Sequence, residues 1–356
     1  MGEKVLMKGN EAIAEAAIRS GCRHFFGYPI TPQTELSAYM AKKMPKIGGV
    51  FLQAESEVSA INMVYGAAGA GARAMTSSSS PGISLKSEGI SYIAAADLPC
   101  VIVDIVRGGP GLGGIQPAQS DYFQATRGGG HGDYHLVVVA PNSVQEIVQL
   151  TADAFNLADT YRVPVMILGD GTLGQMMEPV DFDDIPQPIK KEKDWATTGT
   201  GLKREHNIIN SLYLSPEELE SKVLAREKVY DAIKEKEVRY EAHDIEDADI
   251  IAVSYGTTSR IVESAVRTLR AEGYKVGVIR PITLWPFPVE VIRQAAETAK
   301  AFISVEMSMG QMVEDVKLAV NGKAPVYFYG RTGGIIPTPD EVIAQIKNIA
   351  GGISND

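Results

Sequence analysis

Six short, almost wholly apolar runs constrain this chain more than any other feature: 24–28, 49–52, 74–76, 100–105, 136–140 and 163–168. A strand with one wetted face alternates polar and apolar residues. Strands that stay apolar through their length are buried on both faces, as in a parallel sheet covered by helices. The stretches 10–20 and 143–158 fit that picture, with apolar residues at helical spacing and Asn10 and Ser143 placed as N-caps. The pattern predicts an α/β, parallel-sheet domain over 1–180.

The residues that follow change character. Residues 181–247 are rich in proline, glycine and charge and read as a connecting arm. Within it Ser215 caps, and Pro216 opens, a charged helix to about residue 240, expected as a solvated face or packing arm. A second α/β pattern occupies 248–356, with strand-like IIAVSYG, KVGVIRP, KAFISVEM and PVYFYG, and is predicted to be a compact, independent unit.

Composition removes several function classes. A net charge of -10 leaves no cationic excess to replace phosphate counterions, so nucleic acid is not an expected partner. Cys22 and Cys100 stand alone, which denies the chain a four-thiolate iron–sulfur or zinc site of its own and suits buried free thiols in a reducing compartment. Apolar runs fall short of the roughly 18 to 20 residues of a membrane span, and the first residues lack a signal-peptide core, so a cytoplasmic protein without membrane contact is expected. His131 and His135 are four apart but in a glycine-broken segment, and no metal site is expected there.

Four segments placed at the carboxyl ends of strands carry candidate chemistry, since that is where open α/β sheets bind ligands. In Gly27-Tyr28-Pro29-Ile30-Thr31-Pro32, two prolines stiffen the loop around Thr31. Its hydroxyl either faces a ligand or caps a helix begun by Pro32. Glu55 and Glu57 stand at the next strand-to-helix junction. Burial there would favour a proton-bearing carboxyl able to share its proton with a ring nitrogen, whereas an exposed acid would only serve the helix dipole. Thr76 to Gly82 is a polar turn followed by Lys86 and Glu88, either a plain turn or a source of hydroxyls for a ring or carboxylate. Arg107 ends a strand before a glycine-rich loop and is placed to grip a carboxylate. That loop lacks the Walker A ending and the Rossmann context.

Taken in order, YPITPQTE, QAESEVSAINMVYGAAGAGARAMTSSSSPG, VDIVRGGPG and GGGHGDY resemble the α subunit of 2-oxoacid:ferredoxin oxidoreductases, and most of all its 2-ketoisovalerate (3-methyl-2-oxobutanoate) form. SVEMSMGQMVEDVK extends the likeness into a transketolase C-terminal-like domain. The resemblance implies a pyrimidine-type thiamine-diphosphate-binding domain, in which Glu57 activates the pyrimidine N1′, Thr31 contacts substrate and cofactor, and Arg107 binds the substrate carboxylate. Pro29, Ile30, Ser79 and Ser80 are expected to line the cofactor. The implied reaction is oxidative decarboxylation of a branched-chain 2-oxoacid with coenzyme A and ferredoxin. The alternative substrate, 2-oxoglutarate, needs a second cation for its distal carboxylate, for which Arg127 is the one nearby arginine candidate. Gly169-Asp170-Gly171 begins like the family's Mg²⁺–diphosphate motif, but no Asn follows at the expected distance. Diphosphate and Mg²⁺ are therefore expected on a partner β subunit, and iron–sulfur clusters on a ferredoxin-like δ subunit with or without a γ subunit. A non-catalytic scaffold is the alternative of another class, and it requires that Thr31, Glu57 and Arg107 not converge.

Overall fold

A computed structural model describes residues 4–353. In its first half β1 (Val5–Lys8), α1 (Gly9–Arg19), β2 (His24–Gly27), α2 (Thr34–Lys43), β3 (Val50–Gln53), α3 (Glu57–Gly69), β4 (Ala74–Ser78) and α4 (Pro81–Ala95) precede β5 (Cys100–Val106), α5 (Tyr122–Thr126), β6 (Val137–Val139), α6 (Val144–Tyr161), β7 (Pro164–Asp170), α7 (Gly171–Gln175) and β8 (Met177–Val180). The second half holds α8 (Pro216–Lys236), β9 (Tyr240–His243), β10 (Ile250–Val253), α9 (Gly256–Ala271), β11 (Val276–Pro281), β12 (Thr283–Trp285), α10 (Val289–Ala295), β13 (Ala301–Glu306), α11 (Met312–Val320), β14 (Val326–Gly330) and α12 (Pro339–Ile353).

All six apolar runs become strands of one seven-stranded sheet, ordered β12-β6-β7-β5-β4-β2-β3. From β2 to β7 every pairing is parallel. Strand β5 lies inside the sheet and is buried at every residue. The chain steps from β2 out to β3 and then returns across β2 to β4. That reversal opens a crevice at the carboxyl ends of β2 and β4, the usual ligand position in an open sheet.

Two predicted caps form: Ser143 Oγ accepts from Glu146 N at 3.2 Å and Ser215 Oγ from Glu218 N at 3.3 Å. Asn10 does not cap. Helix α1 begins one residue earlier, with Lys8 at the cap position, and buried Asn10 donates from Nδ2 to Pro32 O (2.8 Å) and Glu35 Oε2 (3.1 Å). Its amide thus ties α1 to the loop after β2. The charged helix α8 is a packing arm: buried Arg226 donates to Asp97 Oδ1 (2.9 Å) and Ala95 O (2.8 Å), beside buried Tyr230 and Ile233.

The last stretch is not the self-contained unit predicted. Its own five-stranded sheet, β14-β13-β10-β11-β9, forms, but β12 crosses back and pairs antiparallel with β6 in the first sheet. Trp285 of β12 stacks on His135 with ring centroids 4.5 Å apart. One hydrophobic core runs through both halves, joining Val139 and Ile167 to Ile251, Ile279 and Phe302. A three-residue strand has no periodicity that announces its partner, so the crossing was hidden. Arg280 of β11 sits at this junction, only 2% exposed. Its two terminal nitrogens clasp Glu146 of α6 (2.8 and 2.9 Å) and its Nε donates to Glu241 (2.9 Å). Arg280→Met should cost about 3 kcal/mol, at the low end for a broken buried pair because Glu241 is open to solvent. Urea unfolding should show this as a lower midpoint with an unchanged slope.

Candidate active site

The loop after β2 and the start of the glycine loop after β5 are joined by one side chain. Arg107 is 7% exposed and donates from Nη1 to Thr31 O (2.9 Å) and from Nη2 to Leu112 O (3.0 Å), while its buried Nε has no acceptor. Thr31 is exposed, in a cis Thr31–Pro32 pair, and it is not a helix cap. Helix α2 starts at Thr34 because Gln33 N–H closes a turn onto Ile30 O at 3.2 Å. The buried Gln33 side chain bonds Tyr28 O (3.3 Å) and accepts from Ser77 Oγ (2.6 Å), which fixes the proline loop to the end of β4. Pro29 is exposed and Ile30 half-buried on the same loop.

The start of helix α3 divides the two acids on either side of its cap. Ser56 Oγ caps it by accepting from Ser59 N at 3.2 Å; Glu57 is then turned inward, 6% exposed, and Glu55 outward, bonded only to Ser59 Oγ at 3.3 Å. What lets Glu57 sit so deep is glycine in the facing helix α4. A Cβ on Gly82 would meet Ser78 Oγ at 2.0 Å and Glu57 Oε1 at 2.7 Å, and one on Gly89 would meet Ile61 Cγ2 at 2.4 Å. Residues 57 and 61 of α3 thus press on 82 and 89 of α4, each pair on one helix face. The sequence places Gly82 at the end of a polar turn, and its packing role depends on which helix lies opposite.

Around these residues lie further polar groups, among them Asp104 and Asp121, to which the sequence alone gave no role. Ser80, at φ 26°, donates from its N–H to Asp104 Oδ1 (3.1 Å), and its hydroxyl meets Arg107 N–H at 3.1 Å. Asp104, buried in β5, is pushed well above the ordinary carboxyl value by burial and by the charge of Asp121, itself raised by burial. The buried Oδ2 atoms of both acids have no hydrogen-bond partner, and a proton shared between the two carboxyls would satisfy them. The buried hydroxyls of Ser78 and Ser79 are likewise unpartnered, so the crevice keeps open hydrogen-bonding capacity on the β4 side. Lys86, one turn beyond Gly82, is fully buried and donates to Thr76 Oγ1 (2.8 Å) and Ser77 O (2.9 Å).

Other candidates lie elsewhere. Arg127 is half-exposed, bound to Asp315 of the second half at 3.1 Å and stacked over Phe123. His131 is exposed; its carbonyl accepts from Ser91 Oγ at 2.7 Å. Asp170 caps α7, its Oδ1 accepting from Thr172 N (2.8 Å) and Leu173 N (3.1 Å), while its Oδ2 accepts from Thr257 Oγ1. Both oxygens are thus engaged within the fold. Cys22 and Cys100 are buried, and burial pushes both thiols up to about 12. Among the described residues no cluster of His, Cys, Asp and Glu is arranged to hold a metal, and no helix is long and apolar enough to cross a membrane.

The sequence was compared with family models and with known proteins. Residues 15–257 match the thiamine-diphosphate-binding domain of pyruvate flavodoxin/ferredoxin oxidoreductases, and residues 248–342 match core domain II of pyruvate:ferredoxin oxidoreductase. The chain is 51% identical over 351 residues to ketoisovalerate oxidoreductase subunit VorB of Methanothermobacter marburgensis, covering 99% of each chain. It is 39% identical over 381 residues to 2-oxoglutarate synthase subunit KorA of the same organism, covering 98% of this chain and 100% of the relative. Its fold superposes with TM-score 0.87 and 30% identity on the 2-oxoglutarate:ferredoxin oxidoreductase from Magnetococcus marinus, solved with 2-oxoglutarate, coenzyme A and succinyl-CoA bound; it covers 98% of this chain and 65% of that one. With the thiamine-binding domain and core domain II in tandem over an α/β fold, the chain belongs to the 2-oxoacid:ferredoxin oxidoreductase family.

Proposed function

We propose that this chain supplies the pyrimidine-facing half of a thiamine-diphosphate site, within a heteromeric complex that oxidatively decarboxylates 2-ketoisovalerate with coenzyme A and ferredoxin. The observation that carries the reading is that Arg107 binds both Thr31 and Ser80 at the carboxyl ends of β2 and β4, while buried Glu57 packs against Gly82, two residues beyond Ser80. A scaffold would have no use for a buried carboxylate beside unpartnered hydroxyls.

The residues present suit the cofactor's pyrimidine end: a buried acid, the open hydroxyls of Ser78 and Ser79, and the unpaired Nε of Arg107. When bound, thiamine diphosphate supplies the carbanion stabilisation that loss of CO₂ from a 2-oxoacid requires. Glu57 holds the proton shared with the pyrimidine N1′. Arg107, fixed by Thr31 and Leu112, offers its remaining N–H groups to the substrate carboxylate, and the Thr31 hydroxyl faces substrate and cofactor. Pro29, Ile30, Ser79 and Ser80 line the ring.

Diphosphate and Mg²⁺ fall to a partner β subunit, a division supported by the engagement of both Asp170 oxygens inside this fold. Electron transfer falls to a ferredoxin-like δ subunit, with or without a γ subunit, because neither buried cysteine can join a cluster. Two free thiols suit a reducing compartment, and we place the complex in the cytoplasm. We take 1–180 as the thiamine domain, 181–247 as the arm, and 248–356 as the transketolase C-terminal-like part.

The branched-chain substrate is favoured over 2-oxoglutarate by the higher identity to the ketoisovalerate relative and by the engagement of Arg127 with Asp315. Ferredoxin reduction by the assembled complex, compared on 2-ketoisovalerate, 2-oxoglutarate and pyruvate, tests this. We expect kcat/KM at least about tenfold higher for 2-ketoisovalerate, the scale set by one or two methylenes in an apolar pocket. A preference for 2-oxoglutarate would reverse the assignment.

A further inference from the structure

Lysine is rarely buried without a carboxylate bonded to it. Lys86 is 0% exposed, and its two acceptors are neutral, the Thr76 hydroxyl and the Ser77 carbonyl. Two acceptors suffice for the two N–H bonds of an amine and leave the third donor of an ammonium unmet. The nitrogen is also placed by the stripe of α4 that faces α3. Gly82, one turn earlier, touches Glu57, and Gly89, one turn later, touches Ile61. Lys86 therefore enters the core on the stripe between the two glycine contacts. The charges acting on it are Glu57 of α3 and Asp104 of β5, and Asp104 is paired with Asp121.

We propose that Lys86 is a positioning residue for the reaction: its Nζ, held by Thr76 and Ser77, is the buried counter-charge against which the Glu57 carboxylate works. The inference rests on the reading of Glu57 as the acid facing the pyrimidine. Burial lowers Lys86 to about 7, with the charges of Glu57 and Asp104 opposing the fall. Below that pH the ammonium acts on Glu57 through space and favours its ionised form; above it the amine no longer does. Glu57 and its neighbour are thus linked, so that loading or unloading a proton on one alters the other.

The test uses the assembled complex, Lys86→Met as a neutral side chain of similar length, and Thr76→Val to withdraw one acceptor. The activity-independent readout is stability against pH without cofactor. The unfolded chain protonates Lys86 at its ordinary value of about 10.4 and the folded chain only at about 7. Between those values the unfolded state binds the extra proton, so wild-type stability should rise with pH relative to Lys86→Met, and the difference should level off below about 7. The functional readout is the pH profile of C2 proton exchange in bound thiamine diphosphate. Its acid limb should move to higher pH by about one unit in Lys86→Met and by less in Thr76→Val. An unmoved limb in both variants, with the complex assembled, overturns the proposal. Should Lys86→Met fail to assemble, Thr76→Val decides alone. Glu57→Gln, run alongside, separates the two readings: if it leaves exchange intact the Glu57 assignment fails, and if it abolishes exchange while the limb stays fixed in the lysine and threonine variants, only the role of Lys86 fails.

Discussion

Glu57→Gln in the assembled complex is expected to slow C2 proton exchange of bound thiamine diphosphate by about two to four orders of magnitude, the range lost when a positioned acid–base group is removed. Assembly should be unchanged. Gln keeps the volume of Glu, and the space is defined by Gly82 and Ser78 rather than by the charge. The matching substitution at Glu55, which is exposed and bonded only to Ser59, should change exchange by less than about twofold. The pair of measurements is sharper than either alone, because the two acids stand two residues apart on the same helix start and differ in which way α3 turns them. Normal exchange in Glu57→Gln would remove this chain from the proton-handling part of the reaction.

Arg107→Met should lower kcat/KM for the 2-oxoacid by at least about 100-fold. The loss combines the substrate contact with the two charge-assisted bonds that hold the Thr31 and Leu112 carbonyls, each worth roughly 1.5 to 3 kcal/mol. C2 exchange without substrate should fall far less, since Glu57 is held by α3 and α4 and not by Arg107. Arg107→Lys should recover only part of the loss, because a point charge replaces a planar fork that reaches two loops at once. Equal losses of substrate turnover and substrate-free exchange would instead mean that Arg107 merely organises the crevice.

Much of this protein was legible before any coordinates. Six apolar runs became six parallel strands because burial on both faces leaves no room for polar alternation. Ser143 and Ser215 capped the helices they precede, since a hydroxyl that meets a free N–H one turn on needs no tertiary partner. The four motifs and the family they resemble were readable for the same reason: each is a short segment whose residues act close to where they stand in sequence.

What failed shared another character. An N-cap is the commonest local use of an asparagine such as Asn10, and the fold instead spends its amide on Pro32 and Glu35. Of the two readings open for Thr31, the cap fell to the turn closed by Gln33. Arg127 went to Asp315, 188 residues away, and β12 went to the first sheet. Sequence by itself determined the strands, the helices they alternate with, and the residue types gathered at the strand ends, because periodicity and capping are local properties of the chain. Only tertiary structure decided that Glu57 and not Glu55 faces inward, that Gly82 and Gly89 admit α3, and that Lys86 and the Asp104–Asp121 pair are buried behind the crevice. Each of these depends on which surface lies opposite, and burial, which sets the charge of a lysine or a carboxyl, is a property of that opposition.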